Sequence, residues 1–202
     1  MSGKDAFTDR KRAQEEEYFR KKEKELIEKM RRHAELEAER QQMGQALGIA
    51  DEDLLKDLQE LGYNRDTVML LHLVPLVHIA WAEGSVSGSE RKLILEVAQS
   101  RNITEGSPAY QLLNDWLNKR PPEEFFEKTT RIIRDILQSL PSEKRETSKR
   151  DLVSYCTQVA EASGGILGFG RKISDQERKL LEKIVAQLES KHEAAAKREL
   201  EE

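Results

Sequence analysis

The chain has 202 residues, of which 36% are charged and 5% aromatic, and its formal net charge is -4. That length allows one domain of about 100 to 150 residues plus an appendage. The charge-rich, ring-poor mix fits a helical protein and not a β-sandwich, and the mild acidity gives no reason to expect nucleic-acid binding. The single cysteine, Cys156, has no partner for an internal disulfide. Without a signal peptide or a spanning segment, a reducing, cytoplasmic location is expected. The patterns CxxC, HExxH, GxSxG and the P-loop are all missing, so a non-enzymatic role is expected.

From Asp9 to Met43 the chain has neither Gly nor Pro, and its charge is dense. This predicts one helix of about 35 residues, roughly 50 Å long. Phe19, Leu26, Ile27, Met30 and Ala34 fall within an arc of about 100°. Glu16–Arg20, Glu17–Lys21, Glu25–Lys29 and Glu28–Arg32 are placed for i,i+4 ion pairs. The stripe is too thin for a core helix. Such a helix pairs with itself or a neighbour, or docks into a partner's groove.

Gly44, Gly48 and the cap residue Asp51 are expected to break this helix. A short amphipathic helix follows, with Leu54, Leu55, Leu58 and Leu61 inward and Gly62 as its stop. The longest apolar run comes next, Val68 to Ala82, interrupted only by His72, Pro75 and His78. It is shorter than the roughly 20 residues a membrane span needs. It reads as a buried core helix capped by Asn64, kinked upstream of Pro75 and ended by Gly84.

Ser87 then caps a helix from Gly88 to Ser100, and Ser87-x-x-Glu90 is a capping box. Ser107-Pro108 opens a helix carrying Leu112, Leu113, Trp116 and Leu117. Pro121-Pro122 starts another, with Phe125, Phe126, Ile132, Ile133, Ile136 and Leu137 at helical spacing. Pro141-Ser142 precedes a helix to about Ser163 that buries Leu152, Val153, Cys156, Val159 and Ala160. The loop Gly164–Gly170 carries Ile166, Leu167 and Phe169 but no P-loop lysine. It reads as an apolar loop tucked on the bundle or offered to a partner or membrane surface. Ser174, with Glu177, caps a last helix through Leu188. The expected architecture is all-α: a charged helix over 1–44, a bundle of about seven helices over 45–190, and a charged tail over 191–202.

Two segments echo each other: Ala80 to Ile94, and Ala160 to Gly165 resumed at Lys172 to Leu181. Each has a small-residue helix end, glycine, a β-branched residue, a Ser cap, then Glu-Arg-Lys and two aliphatics. Two helix–loop–helix hairpins with an internal two-fold repeat are expected, with Val86 and Ile173 as plugs beneath the loops.

The segment L-V-P-L-V-H-I-A-W-A-E-G-S-V-S-G-S-E, with its later echo, resembles the tellurite-resistance TerB family. That family is all-helical, carries A-x-A-D-G-x-(V/I)-x-x-x-E in each half and is known for membrane-associated stress complexes. The resemblance spans residues 64 to 190 and implies a divalent cation, such as calcium, held by Glu83, Glu90 and Glu177. Glu83 stands where the family has Asp. Ahead of it, A-F-T-D-R-K-R-A-Q-E-E-E-Y-F-R, Ala6 to Arg20, resembles the inhibitory segment of the mitochondrial ATPase inhibitor protein. That implies docking between catalytic subunits of an F-type ATPase through Phe7, Arg10, Glu15, Glu16, Tyr18, Phe19 and Arg20.

The residues themselves leave alternatives. Glu90 and Glu177 occupy capping-box positions, where a carboxylate satisfies backbone donors rather than a metal. His72 and His78 lie about 240° apart on a helix and share no face. Each reads as a partly buried, hydrogen-bonded histidine. Cys156 reads as a small buried hydrophobe. Tyr18 and Phe19 would either pack on the bundle or meet another protein.

Overall fold

The apolar run sits where its composition demands. Val68, Leu70, Leu71, Leu73, Val74, Leu76, Val77, Ile79 and Ala80 are all buried at the centre of the molecule. Each of the Val, Leu and Ile side chains among them contributes about 1.5–3 kcal/mol on leaving water. The structure is a computed structural model that describes residues 3–163 and 173–189, with side chains for 15–162 and 173–189. The glycine-rich loop and the charged tail therefore lie outside the described residues.

Among the described residues there are eight α-helices and no strand: α1 (Gly3–Leu47), α2 (Glu52–Glu60), α3 (Val74–Ala80), α4 (Gly88–Ser100), α5 (Pro108–Asn118), α6 (Glu123–Ser139), α7 (Ser142–Ser163) and α8 (Asp175–Glu189). The expected all-α bundle behind a long first helix is what forms. Among the described residues, no helix is long and apolar enough to cross a membrane.

The core run is not one kinked helix. Val68–Leu73 is a 3-10 helix that passes directly into α3. Pro75 has no N–H to give Leu71, and its ring would crowd that carbonyl. The chain upstream therefore tightens into i→i+3 bonds, Leu70 N–H to the Thr67 carbonyl at 2.9 Å and Val74 N–H to the Leu71 carbonyl. Asn64 still organises the entry. Its Oδ1 accepts from the N–H groups of Asp66 and Thr67, at 3.0 and 3.1 Å. Gly84, at φ +87, turns the chain after α3.

α3 packs against α6, α7 and α8, while α4 packs on α7 and α6 on α8. Arg145 seals the end of α6, donating to the carbonyls of Leu137, Gln138 and Leu140. The two Ser caps form boxes with the same pair of hydrogen bonds. Ser87 N–H donates to Glu90 Oε2 at 2.7 Å, and Ser174 N–H to Glu177 Oε2 at 2.8 Å. Each serine hydroxyl accepts the glutamate's own N–H at 3.2 Å. Val86 and Ile173 both pack against the core beneath their caps.

α1 runs further than expected. Gly44 does not break it; the helix ends at Gly48, whose φ is +69. Ile49 N–H closes the end by reaching back to the Gly44 carbonyl at 2.9 Å. This six-to-one bond over a left-handed residue is a Schellman ending. Gly44 is glycine for packing instead: a Cβ there would meet Ile49 O at 2.7 Å and Leu55 Cδ1 at 3.0 Å.

Candidate functional site

Among its described side chains, α1 docks only through its end. Met43 is fully buried, and Gln59 Nε2 donates to the Leu36 carbonyl at 3.2 Å. Arg40, largely covered, reaches Gln59 Oε1 at 3.1 Å and lies 3.9 Å from Glu52. Upstream of Leu36 the helix leaves the body. At 1.5 Å per residue, the stretch from Tyr18 to Leu36 alone projects about 27 Å.

That rod presents apolar side chains to solvent. Tyr18 is 59% exposed, Phe19 67%, Leu26 59%, Ile27 60% and Met30 65%. The two rings meet edge to face at 6.0 Å, and the Lys22 ammonium stands 5.8 Å above the Tyr18 ring. Glu15, Glu16 and Arg20 are exposed beside them. The side chains of Phe7 and Arg10 lie outside the described residues. Among the described residues, Lys22–Glu25 at 3.4 Å, Arg31–Glu35 at 2.9 Å and His33–Glu37 at 3.7 Å place the basic residue first, and Glu37–Arg40 at 4.0 Å places the acid first. Pairs this exposed are worth little, so their order is loosely specified.

The loop carboxylates occupy two environments. Glu83 is exposed, whereas Glu90 and Glu177 are buried inside their boxes. Burial lifts the Glu90 carboxyl above its usual range. The Ser87 bonds pull it back, and the charges of Glu177 and Glu83 add to the rise. Among the described residues, no group of three or more His, Cys, Asp or Glu side chains is arranged to hold a metal ion.

The two histidines are not a pair. His72 is half-buried, and its Nε2 finds no hydrogen-bond partner among the described residues. Burial, helped by Arg101, lowers its pKa to about 4. His78 lies flat on Phe126 and stands 3.4 Å from Glu123 Oε1. Burial outweighs that carboxylate and holds His78 at about 4. Both imidazoles are therefore neutral at pH 7. Cys156 is fully buried, which pushes its thiol up to about 12 and leaves no reactive thiolate.

One feature escaped the reading of the sequence. Tyr63, Trp116 and Phe125 come from three separate segments into one ring cluster, with centroids 5.2 to 6.2 Å apart. They line an open cleft of about 620 Å³ together with Leu61, Leu112 and Pro121. Asp115, Lys119 and Arg120 stand on its lip. The Tyr63 hydroxyl and Thr129 Oγ1, buried close behind, fall outside hydrogen-bond geometry. In the sequence the only signal was three rings near Pro121-Pro122, with nothing in their spacing to bring them together.

Comparison with family models, with curated proteins and with solved structures finds no match to this chain.

Proposed function

We propose that the protein works by binding and not by catalysis: a TerB-like helical body carrying α1 as a docking helix for an F-type ATPase. The observation that carries this is the exposure of Tyr18 and Phe19 on a rod that the body does not cover. Folding gains nothing from two rings left in water, so their benefit lies in a contact still to be made. The resemblance of Ala6 to Arg20 to the ATPase-inhibitor segment supplies the partner. Phe7, Tyr18 and Phe19 enter an apolar cleft of that partner. Glu15, Glu16, Arg10 and Arg20 pair at its rim, where charges set rate and specificity more than affinity. Purified F-type ATPase offered to the immobilised full chain should be retained, and a Tyr18→Ala, Phe19→Ala chain should not retain it. Equal retention by both chains removes the reading.

A second reading rests on Glu90, whose carboxyl is pushed up in part by the charges of Glu83 and Glu177. A hard cation between these carboxylates would relieve that repulsion. The protein would then be a divalent-metal-responsive scaffold of the tellurite-resistance type, working near a membrane. Calorimetric titration with calcium decides it, since absence of both heat and thermal shift ends this alternative.

A further inference from the structure

The chain carries two apolar surfaces that it cannot bring together by itself. One is convex: the Tyr18 and Phe19 rings on the rod. The other is concave: the cleft over Tyr63, Trp116 and Phe125. α1 is one continuous helix from Gly3 to Leu47, so the rings cannot fold back onto their own body. The cleft lies at the root of the rod. Gln59 near the end of α2 bonds the Leu36 carbonyl, and Leu61, Gly62 and Tyr63 follow directly on the cleft wall.

We propose that this cleft receives Tyr18 and Phe19 of a second copy of the chain, with the exchange made reciprocally about a two-fold axis. Two copies set antiparallel, rod against rod, carry each pair of rings about 27 Å along, which is the distance from its own root to the partner's root. The contact is then isologous and closes at two copies rather than growing into a filament. Charge agrees with this occupant. Glu15, Glu16 and Glu17 precede the rings on the rod, and Lys119 and Arg120 stand on the cleft's lip. The Lys119 ammonium makes no ion pair among the described residues, whereas Arg120 already holds Glu123 at 2.7 Å. Asp115 on the same lip suits Arg20, which follows the rings. The proposal goes beyond the docking reading, which concerns a foreign partner.

Sedimentation velocity of the full chain over a concentration series tests it. The wild type is expected to pass from monomer to dimer as concentration rises. Tyr18→Ala with Phe19→Ala should hold it monomeric, with its circular dichroism unchanged. Lys119→Glu should weaken the dimer several-fold, and adding Glu16→Lys to that chain should restore it. A chain that stays monomeric at every concentration overturns the proposal and leaves the cleft to another occupant. A dimer that needs the rings but ignores both charge changes also overturns it, because the rods would then pair without the cleft.

Discussion

The imidazole of His78 lies on the ring of Phe126 with centroids 4.1 Å apart and planes within 3° of parallel. Neutral imidazole stacks there without desolvating a charge, and the stack ties α3 to the start of α6. Glu123, Arg120 and Lys183 all face this histidine; the carboxylate favours its charged form and the two cations oppose it.

Because burial lowers the pKa of His78 from 6.5 to about 4, the unfolded chain binds the extra proton first. Stability is therefore full above about pH 6.5 and falls as pH drops toward 4, by at most about 3 kcal/mol for this group. His72 acts in the same sense. Glu90 opposes them, since a carboxyl raised in the fold favours folding as it protonates. His78→Phe keeps a flat ring on Phe126 and removes the proton. Thermal midpoints at pH 7 and pH 5 should differ less for His78→Phe than for the wild type. Equal losses in the two chains would refute the assignment.

The twin capping boxes make a second prediction. Ser87→Ala and Ser174→Ala each remove a hydroxyl that accepts from a glutamate N–H at 3.2 Å. Each should cost about 1 kcal/mol, read as a lower urea midpoint. Glu90→Gln behaves differently: the amide oxygen still receives Ser87 N–H, while a desolvated charge facing Glu83 and Glu177 disappears. At pH 7 that change should leave stability unchanged or raise it. A loss as large as that of Ser87→Ala would mean that the carboxylate's charge itself holds the box together.

Burial along α1 divides it sharply, and truncation should show the division. Residues 15–34 are exposed, and a chain lacking residues 1–34 keeps Leu36, whose carbonyl holds Gln59. The expected change in unfolding free energy is no more than about 0.5 kcal/mol. Met43→Ala, by contrast, empties a fully buried site and should cost about 2–5 kcal/mol. A truncated body that melts well below the full chain would mean that the rod packs on the body after all.

Much of this fold was legible because its signals are local. Ser87, Ser107 and Ser174 announced their helices through one hydroxyl at the right offset, and each accepts the expected N–H. Pro121-Pro122 and Pro141 marked boundaries that any chain must respect. The apolar run had to be central in so polar a sequence. What failed was whatever depended on tertiary neighbours. Pro75 does set the geometry upstream of it, but a proline alone is compatible with either a kinked α-helix or a 3-10 stretch ahead of it, here one whose Leu70, Leu71 and Leu73 are buried. The aromatic cleft joins residues 63, 116 and 125, and no periodicity spans such a distance. The exposure of Tyr18 and Phe19 could be stated only as one of two outcomes, because a thin stripe is compatible with burial against a body or with none.

Gly44, a residue type that favours helix ends, is a helix residue here, which makes it the sharpest test of packing against propensity. Alanine in mid-helix normally gains about 1 kcal/mol over glycine. Here the added Cβ would sit 2.7 Å from Ile49 O and 3.0 Å from Leu55 Cδ1. The leucine can rotate away, but Ile49 belongs to the turn whose N–H closes the helix on the Gly44 carbonyl. Moving it strains that closure, and such overpacking costs about 1–3 kcal/mol. Gly44→Ala should therefore destabilise by about 1 kcal/mol net, against the propensity scale. Gly48 gives the contrast. Its Cβ position is open, yet its φ of +69 penalises any residue that carries a Cβ. Gly48→Ala should cost about 1 kcal/mol, and Gly48→Asn less, because Asn tolerates the left-handed region. Chemical denaturation of the three variants orders them, and a Gly44→Ala chain more stable than the wild type would show that the turn at Ile49 yields freely.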